Sequence, residues 1–150
     1  MAADEGHDEL HAWLVRSRQW TTPLHHLATV GADRARALLR GGADLRAAAA
    51  GADAPTPLSL AERLRAEGSA PAGSAADLVL RAAEPWSPQT HHLFPYYDRR
   101  DARELILLGA QLSRESRFDD IHGSAMAIRD VWLAFVMPHA VERSGPWWSD

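Results

Sequence analysis

The chain has no cysteine, no lysine and no asparagine among its 150 residues. Without cysteine there is no disulfide framework and no thiolate to act as nucleophile or ligand. All sixteen basic residues are arginine, which a bias toward GC-rich codons accounts for more simply than function does. No apolar run is long enough to cross a bilayer, and the acidic opening MAADEGHDEL has the character of neither a signal nor a transit peptide. Basic charge is also short. A net charge of −4 argues against general nucleic-acid binding, which needs a basic surface. Arg99, Arg100 and Arg103 cluster locally, but Asp98, Asp101 and Glu104 interleave with them and predict a self-compensating, solvated helix face. What these absences leave is a soluble intracellular protein, cytoplasmic or nuclear, with no membrane and no nucleic-acid partner expected.

Signatures of catalysis are missing as well. There is no glycine-rich phosphate loop, no HExxH and no GxSxG, so no enzyme activity, no catalytic residue and no cofactor is expected. Eight histidines invite a metal reading, kept as a remote alternative. The doublets His25-His26 and His91-His92 stand 66 residues apart (25 to 91). If they occupy equivalent places two units apart, helix packing at about 8–10 Å separates them by roughly 20 Å. Zinc–nitrogen bonds are about 2 Å long, so one ion cannot join both doublets and no metal ligand is assigned. His122 and His139 flank the last predicted helix without ligand spacing.

What the sequence does contain is concentrated between Thr22 and Leu45, TPLHHLATVGADRARALLRGGADL. Thr22 is a good N-cap, Pro23 suits the first helical position, and Leu24, Leu27 and Ala28 recur at helical spacing. A helix of about two turns is predicted, stopped by a left-handed Gly31. Ala32 and Asp33 open a second helix with Ala35, Leu38 and Leu39 as its stripe, closed by Gly41-Gly42. A pair joined by so short a turn lies antiparallel and still has apolar surface to cover, so neighbouring units are expected. The chain supplies them. Thr56-Pro57-Leu58 restates Thr22-Pro23-Leu24 at an offset of 34, and Gly109-Ala110-Gln111-Leu112 restates Gly42-Ala43-Asp44-Leu45 at an offset of 67.

A period near 33, once single and once doubled, together with the TPLH start, resembles the ankyrin repeat family. The resemblance implies an all-α fold, an ankyrin-repeat helical solenoid of stacked antiparallel helix pairs with a capping helix. About three repeats are expected near 20–50, 53–84 and 86–115, inside a domain spanning 9–115. A partial first unit carries Leu10, Trp13 and Leu14, after a disordered 1–8. The segment 116–150 is expected to be the capping helix and a Trp-rich tail. By the same resemblance His25 is a hydrogen-bonding post at a helix start, with His91 doing the same in a shifted register and Ser59 in its place in the middle repeat. The chain departs from the pattern in a loose insertion, EGSAPAGS at 67–74, and at Pro95, which is expected to break a helix and expose Tyr96-Tyr97 before Asp98 caps the next one.

Ankyrin arrays bind proteins, so the resemblance implies non-catalytic capture of an unidentified protein partner on the concave surface. Its variable positions map onto Thr21, Thr29, Arg46, Arg63, Trp86, Tyr96 and Tyr97, with Trp86 read equally well as a packed inter-repeat residue. A second surface follows from the residues themselves. Ile128, Val131, Trp132, Phe135 and Val136 form a helical stripe between Ala125 and Met137, and Pro138 is expected to end that helix. A cap needs a polar outer face, and this one has little. Trp132, Phe135, Trp147 and Trp148 are therefore candidates for a secondary interface, through assembly into a larger complex or self-association.

Overall fold

A computed structural model describes residues 21–49, 54–114 and 124–144. The expected disordered start, the partial first unit, His122 and the Trp147-Trp148 tail lie outside the described residues. The elements among them are all helices or helical turns, with no strand among the described residues. In chain order they form a 3₁₀ turn (Pro23–His26), α1 (Ala32–Arg40), α2 (Pro57–Ala66), α3 (Ala75–Ala83), a second 3₁₀ turn (His91–Leu93) and α4 (Tyr96–Leu112). The last helix runs as α5 (Ser124–Val131), a π segment (Trp132–Val136) and α6 (Met137–Ala140). None of these is long and apolar enough to cross a membrane.

The helix starts share one local device. Thr56 N–H donates to Ser59 Oγ at 2.9 Å and Ser59 N–H donates back to Thr56 Oγ1 at 3.1 Å, so two otherwise unpaired donors are satisfied reciprocally. Ser87 and Thr90 exchange the same bonds at 3.0 and 3.2 Å. At the first start the imidazole of His25 accepts from Thr22 N–H at 2.9 Å. That segment forms a single 3₁₀ turn rather than two turns of α-helix, with Leu24 and Leu27 buried beneath it. Gly31 does not stop the turn in a left-handed conformation. It is extended (φ −66°) and stands at the N-cap of α1, while the left-handed residue is Gly42 (φ 80°) after that helix.

α2 packs on α3, α3 on α1, and α2 on the first 3₁₀ turn. Leu24, Leu39, Ala61, Leu78, Val79 and Leu93 are buried in their shared core. The insertion at 67–74 is tightly bonded, not loose: Ser69 N–H donates to Leu64 O at 2.8 Å, Gly73 N–H to Asp77 Oδ2 at 2.8 Å, and Ser74 caps α3.

A second core joins α4 to the C-terminal helix, with Trp86, Phe94, Ala102, Met137 and Val141 inside it. Pro95 is the N-cap of α4 and Tyr96 its first residue. Asp98 therefore does not cap the helix; it is buried one turn in and accepts from the backbone N–H (2.9 Å) and hydroxyl of Ser144. Nor does Pro138 end the last helix. In the π segment Met137 N–H reaches back five residues to Trp132 O, and the helix then continues to Ala140 with Pro138 near the start of its final turn. Met137 and Val141 enter the core, while Val131 and Phe135 of the expected stripe face outward, 54% and 67% exposed.

Candidate functional site

A cleft of about 550 Å³ opens where three separate stretches of chain meet. One wall is the loop Ala43–Arg46 with Leu58, the second is the end of α3 and the turn after it, Ala82–Trp86, and the third is the segment from Pro138 to Ser144. Each wall has its own cause. The left-handed Gly42 reverses the chain after α1, and Leu58 N–H then binds Leu45 O at 3.0 Å, tying this loop to the start of α2. Asp44 Oδ1 accepts from Arg46 N–H at 2.7 Å and fixes the loop between them.

The third wall is held by Arg143. Its guanidinium donates to Leu39 O at 2.6 Å and to Leu93 O at 3.0 Å, and lies 5.7 Å from the ring centre of Phe94. Both carbonyls stand at helix ends, where a cation is favoured. Burial pushes the Arg143 pKa down to about 10, and the charge of Asp98 acts the other way. The burial cost is present at neutral pH and is offset by the two carbonyl bonds and the ring face.

The expected binding residues divide. Arg46 is exposed and lines the cleft. Trp86 is corrected: it is 2% exposed, packed in the second core, with its Nε1–H donated to His91 Nδ1 at 3.1 Å. His91 thus serves the indole rather than repeating the bond made by His25, whose counterpart is Thr90. Thr21 and Thr29 are exposed beside His26, and Arg63 is exposed 3.8 Å from Glu67; none of the three lines the cleft. Tyr96 and Tyr97 are 63% and 60% exposed. Their rings stand edge to face at 5.4 Å, and Arg100 lies 5.4 Å from the Tyr97 ring centre while reaching Asp101 at 3.0 Å. At the secondary surface, Trp132 is corrected too: its indole points inward and donates to Leu105 O at 3.0 Å. Phe135 points out.

Sequence reasoning missed Glu84, Glu142, Arg143 and Ser144. No local pattern marks them; the bonds of Arg143 and Ser144 reach residues 46 to 104 positions away. Among the described residues no group of three His, Asp or Glu side chains is placed to hold a metal ion. Comparison with protein-family models, curated proteins and solved structures yields no match to this chain.

Proposed function

We propose that this chain is a non-catalytic recognition module of the ankyrin-repeat type, which captures a partner protein inside the cell. The observation that carries the reading is the cleft between the helix-connecting loops, with Arg46 exposed on its wall. Two features support it. A bond from one backbone N–H to the side chain three residues on, at 22/25, 56/59 and 87/90, recurs 34 and then 31 residues apart. Tyr96, Tyr97 and Arg100 form an exposed cluster whose rings are already ordered by mutual contact, and tyrosine and arginine dominate binding energy at interfaces. The test is affinity capture from the source lysate with wild type and with a variant carrying alanine at Arg46, Arg63, Tyr96 and Tyr97. A partner held by wild type and lost by the variant at unchanged helicity is the expected result; a partner held equally by both counts against it.

One observation favours a second reading, docking through the C-terminal hairpin. Among the described residues, every large apolar side chain that is exposed lies on α4 or the last helix: Tyr96, Tyr97, Ile106, Leu107, Leu108, Val131 and Phe135. Exposed apolar patches of this kind mark interaction surfaces. On this reading the module is also an assembly subunit.

A further inference from the structure

Positive charge is left over at the start of α4. The sequence interleaves Arg99, Arg100 and Arg103 with Asp98, Asp101 and Glu104, but the fold shares the carboxylates unequally. Asp98 is buried and taken by Ser144, which donates to it from its backbone N–H and its hydroxyl. Asp101 and Glu104 both turn to Arg100, at 3.0 and 3.9 Å. Arg99 and Arg103 are left without an ion pair among the described residues. The expected self-compensating face is thus corrected: one of its three cations is compensated and two are not.

Other elements add to the excess instead of cancelling it. Arg99 and Arg103 stand one turn apart on the same face of α4, and their charges are felt in the second 3₁₀ turn. Burial first, then Arg103, Arg99 and His92, push the His91 pKa down, and no carboxylate acts the other way. From α1, Arg40 donates its Nε–H to His92 O at 3.0 Å and has no carboxylate partner among the described residues. A second observation is independent of charge. The Nε–H of Arg99 is shut away from solvent and has no acceptor among the described residues, a costly condition for a charged donor. An anionic oxygen placed here relieves the repulsion and supplies the acceptor.

We infer that Arg99 and Arg103, with Arg40 and His92 beside them, take an anionic side chain of a partner protein, phosphorylated or acidic. This rests on the reading of the chain as a recognition module and names the class of segment it captures. Two guanidinium forks one turn apart match the oxygens of one phosphate or carboxylate. A phosphate brings more charge and a third oxygen, so the phosphorylated form binds more tightly. Tyr96, exposed one turn before Arg99, offers its ring to the residue beside the anion.

The experiment measures retention of random heptapeptide libraries on the immobilised full chain, with phosphothreonine, glutamate, alanine or arginine fixed at the centre. Wild type should retain phosphothreonine most and glutamate next. R99Q/R103Q should lose about tenfold of that retention, whereas R100Q, which removes a cation already paired with Asp101, should stay within about twofold. Retention of both anionic libraries assigns the site to acidic and phosphorylated side chains alike, and retention of phosphothreonine alone assigns it to phosphorylated segments. Equal retention of the alanine library, a preference for arginine, or an equal loss in R100Q would each overturn the site. A random single-stranded oligonucleotide held more tightly than any peptide, and lost in R99Q/R103Q, would overturn the assignment to a protein segment. If R99Q/R103Q fails to fold by circular dichroism, R103Q decides, since that position is exposed: a smaller loss in the same direction supports the site, and unchanged retention overturns it. Capture of a lysate partner that survives R99Q/R103Q but not the Arg46, Arg63, Tyr96 and Tyr97 alanine variant would also overturn it, and would leave the recognition module standing.

Discussion

Trp132 lies across Gly109. A β-carbon added at position 109 would come within 2.7 Å of Cδ1 of the indole, whose Nε1–H reaches Leu105 O one turn earlier on the same helix. Glycine inside a helix costs about 1 kcal/mol relative to alanine, so here the helix gives up propensity to let the last helix approach. Gly109→Ala should destabilise the protein by about 1–3 kcal/mol through overpacking. In a Trp132→Ala background the same change should instead stabilise by about 0.5–1 kcal/mol. Urea unfolding of the four proteins measures the coupling, and additive effects would show that the indole is not what excludes the methyl group.

Trp86 and Tyr97 are both aromatic residues read as partner-binding, yet they should behave oppositely. Trp86→Ala removes the largest buried side chain of the second core and should cost about 3–5 kcal/mol. Alanine at Arg46, Tyr96 or Tyr97 should stay within about 0.5 kcal/mol of wild type. Thermal melting separates the two groups.

His91 makes stability depend on pH. The Trp86 indole can only donate, so His91 Nδ1 must be unprotonated and the ring neutral. Burial first, then the charges of Arg103, Arg99 and His92, hold the His91 pKa below its ordinary value. The unfolded chain therefore binds the proton before the folded one does. This contribution is complete above about pH 6.5 and is lost as pH falls from there through the folded value. Melting temperatures between pH 7.5 and 5 should fall more steeply for wild type than for His91→Gln, which keeps an acceptor without the titration. Parallel curves would assign the acid sensitivity elsewhere.

Arg143 joins both cores, because Leu39 and Leu93 belong to the first and Phe94 to the second. Arg143→Ala should cost about 2–4 kcal/mol by leaving two helix-end carbonyls without a charged donor. Arg143→Lys should recover only part of this, since a single ammonium lacks the fork that spans both oxygens. Chemical denaturation gives the order, and equal stability of lysine and arginine would contradict the two-carbonyl role.

The outer strip of the last helix has its own test. Removing residues 124–150 would also strip Met137 and Val141 from Trp86 and Phe94, so deletion cannot isolate a surface effect. Val131→Ser with Phe135→Ser changes only exposed positions. If this strip mediates self-association, the double variant should reduce the oligomer mass seen by sedimentation at unchanged helicity. A wild type that sediments as a monomer across concentrations would remove self-association from the second reading.

Much of the helical layout was legible in the sequence because capping and turn residues act locally. Thr22-Pro23, Thr56-Pro57 and the Gly41-Gly42 pair mark real element boundaries. Errors arose where a distant partner decided the outcome. Asp98 looks like a cap until Ser144 is seen to bind it, and Trp86, which reads equally well as a surface anchor or as a packed residue, is decided by the second core closing over it. The last helix has two apolar sides, and it turns Leu133 and Met137 inward rather than Val131 and Phe135, a choice that periodicity alone does not make. For the site, Arg46 was found by the position the family resemblance assigns to it, whereas Glu84 and Glu142 line the same cleft only through the path of the chain after α3 and α6.

The bond from Arg143 to Leu39 spans 104 residues. Segments of a chain leave the ribosome in sequence order, the N-terminal ones first. Here the carbonyl end of α1 has no charged donor until residue 143 has been synthesised. α1 is thus finished only after the last helix has emerged, and a nascent chain stalled anywhere short of that arginine still carries an open seam at α1.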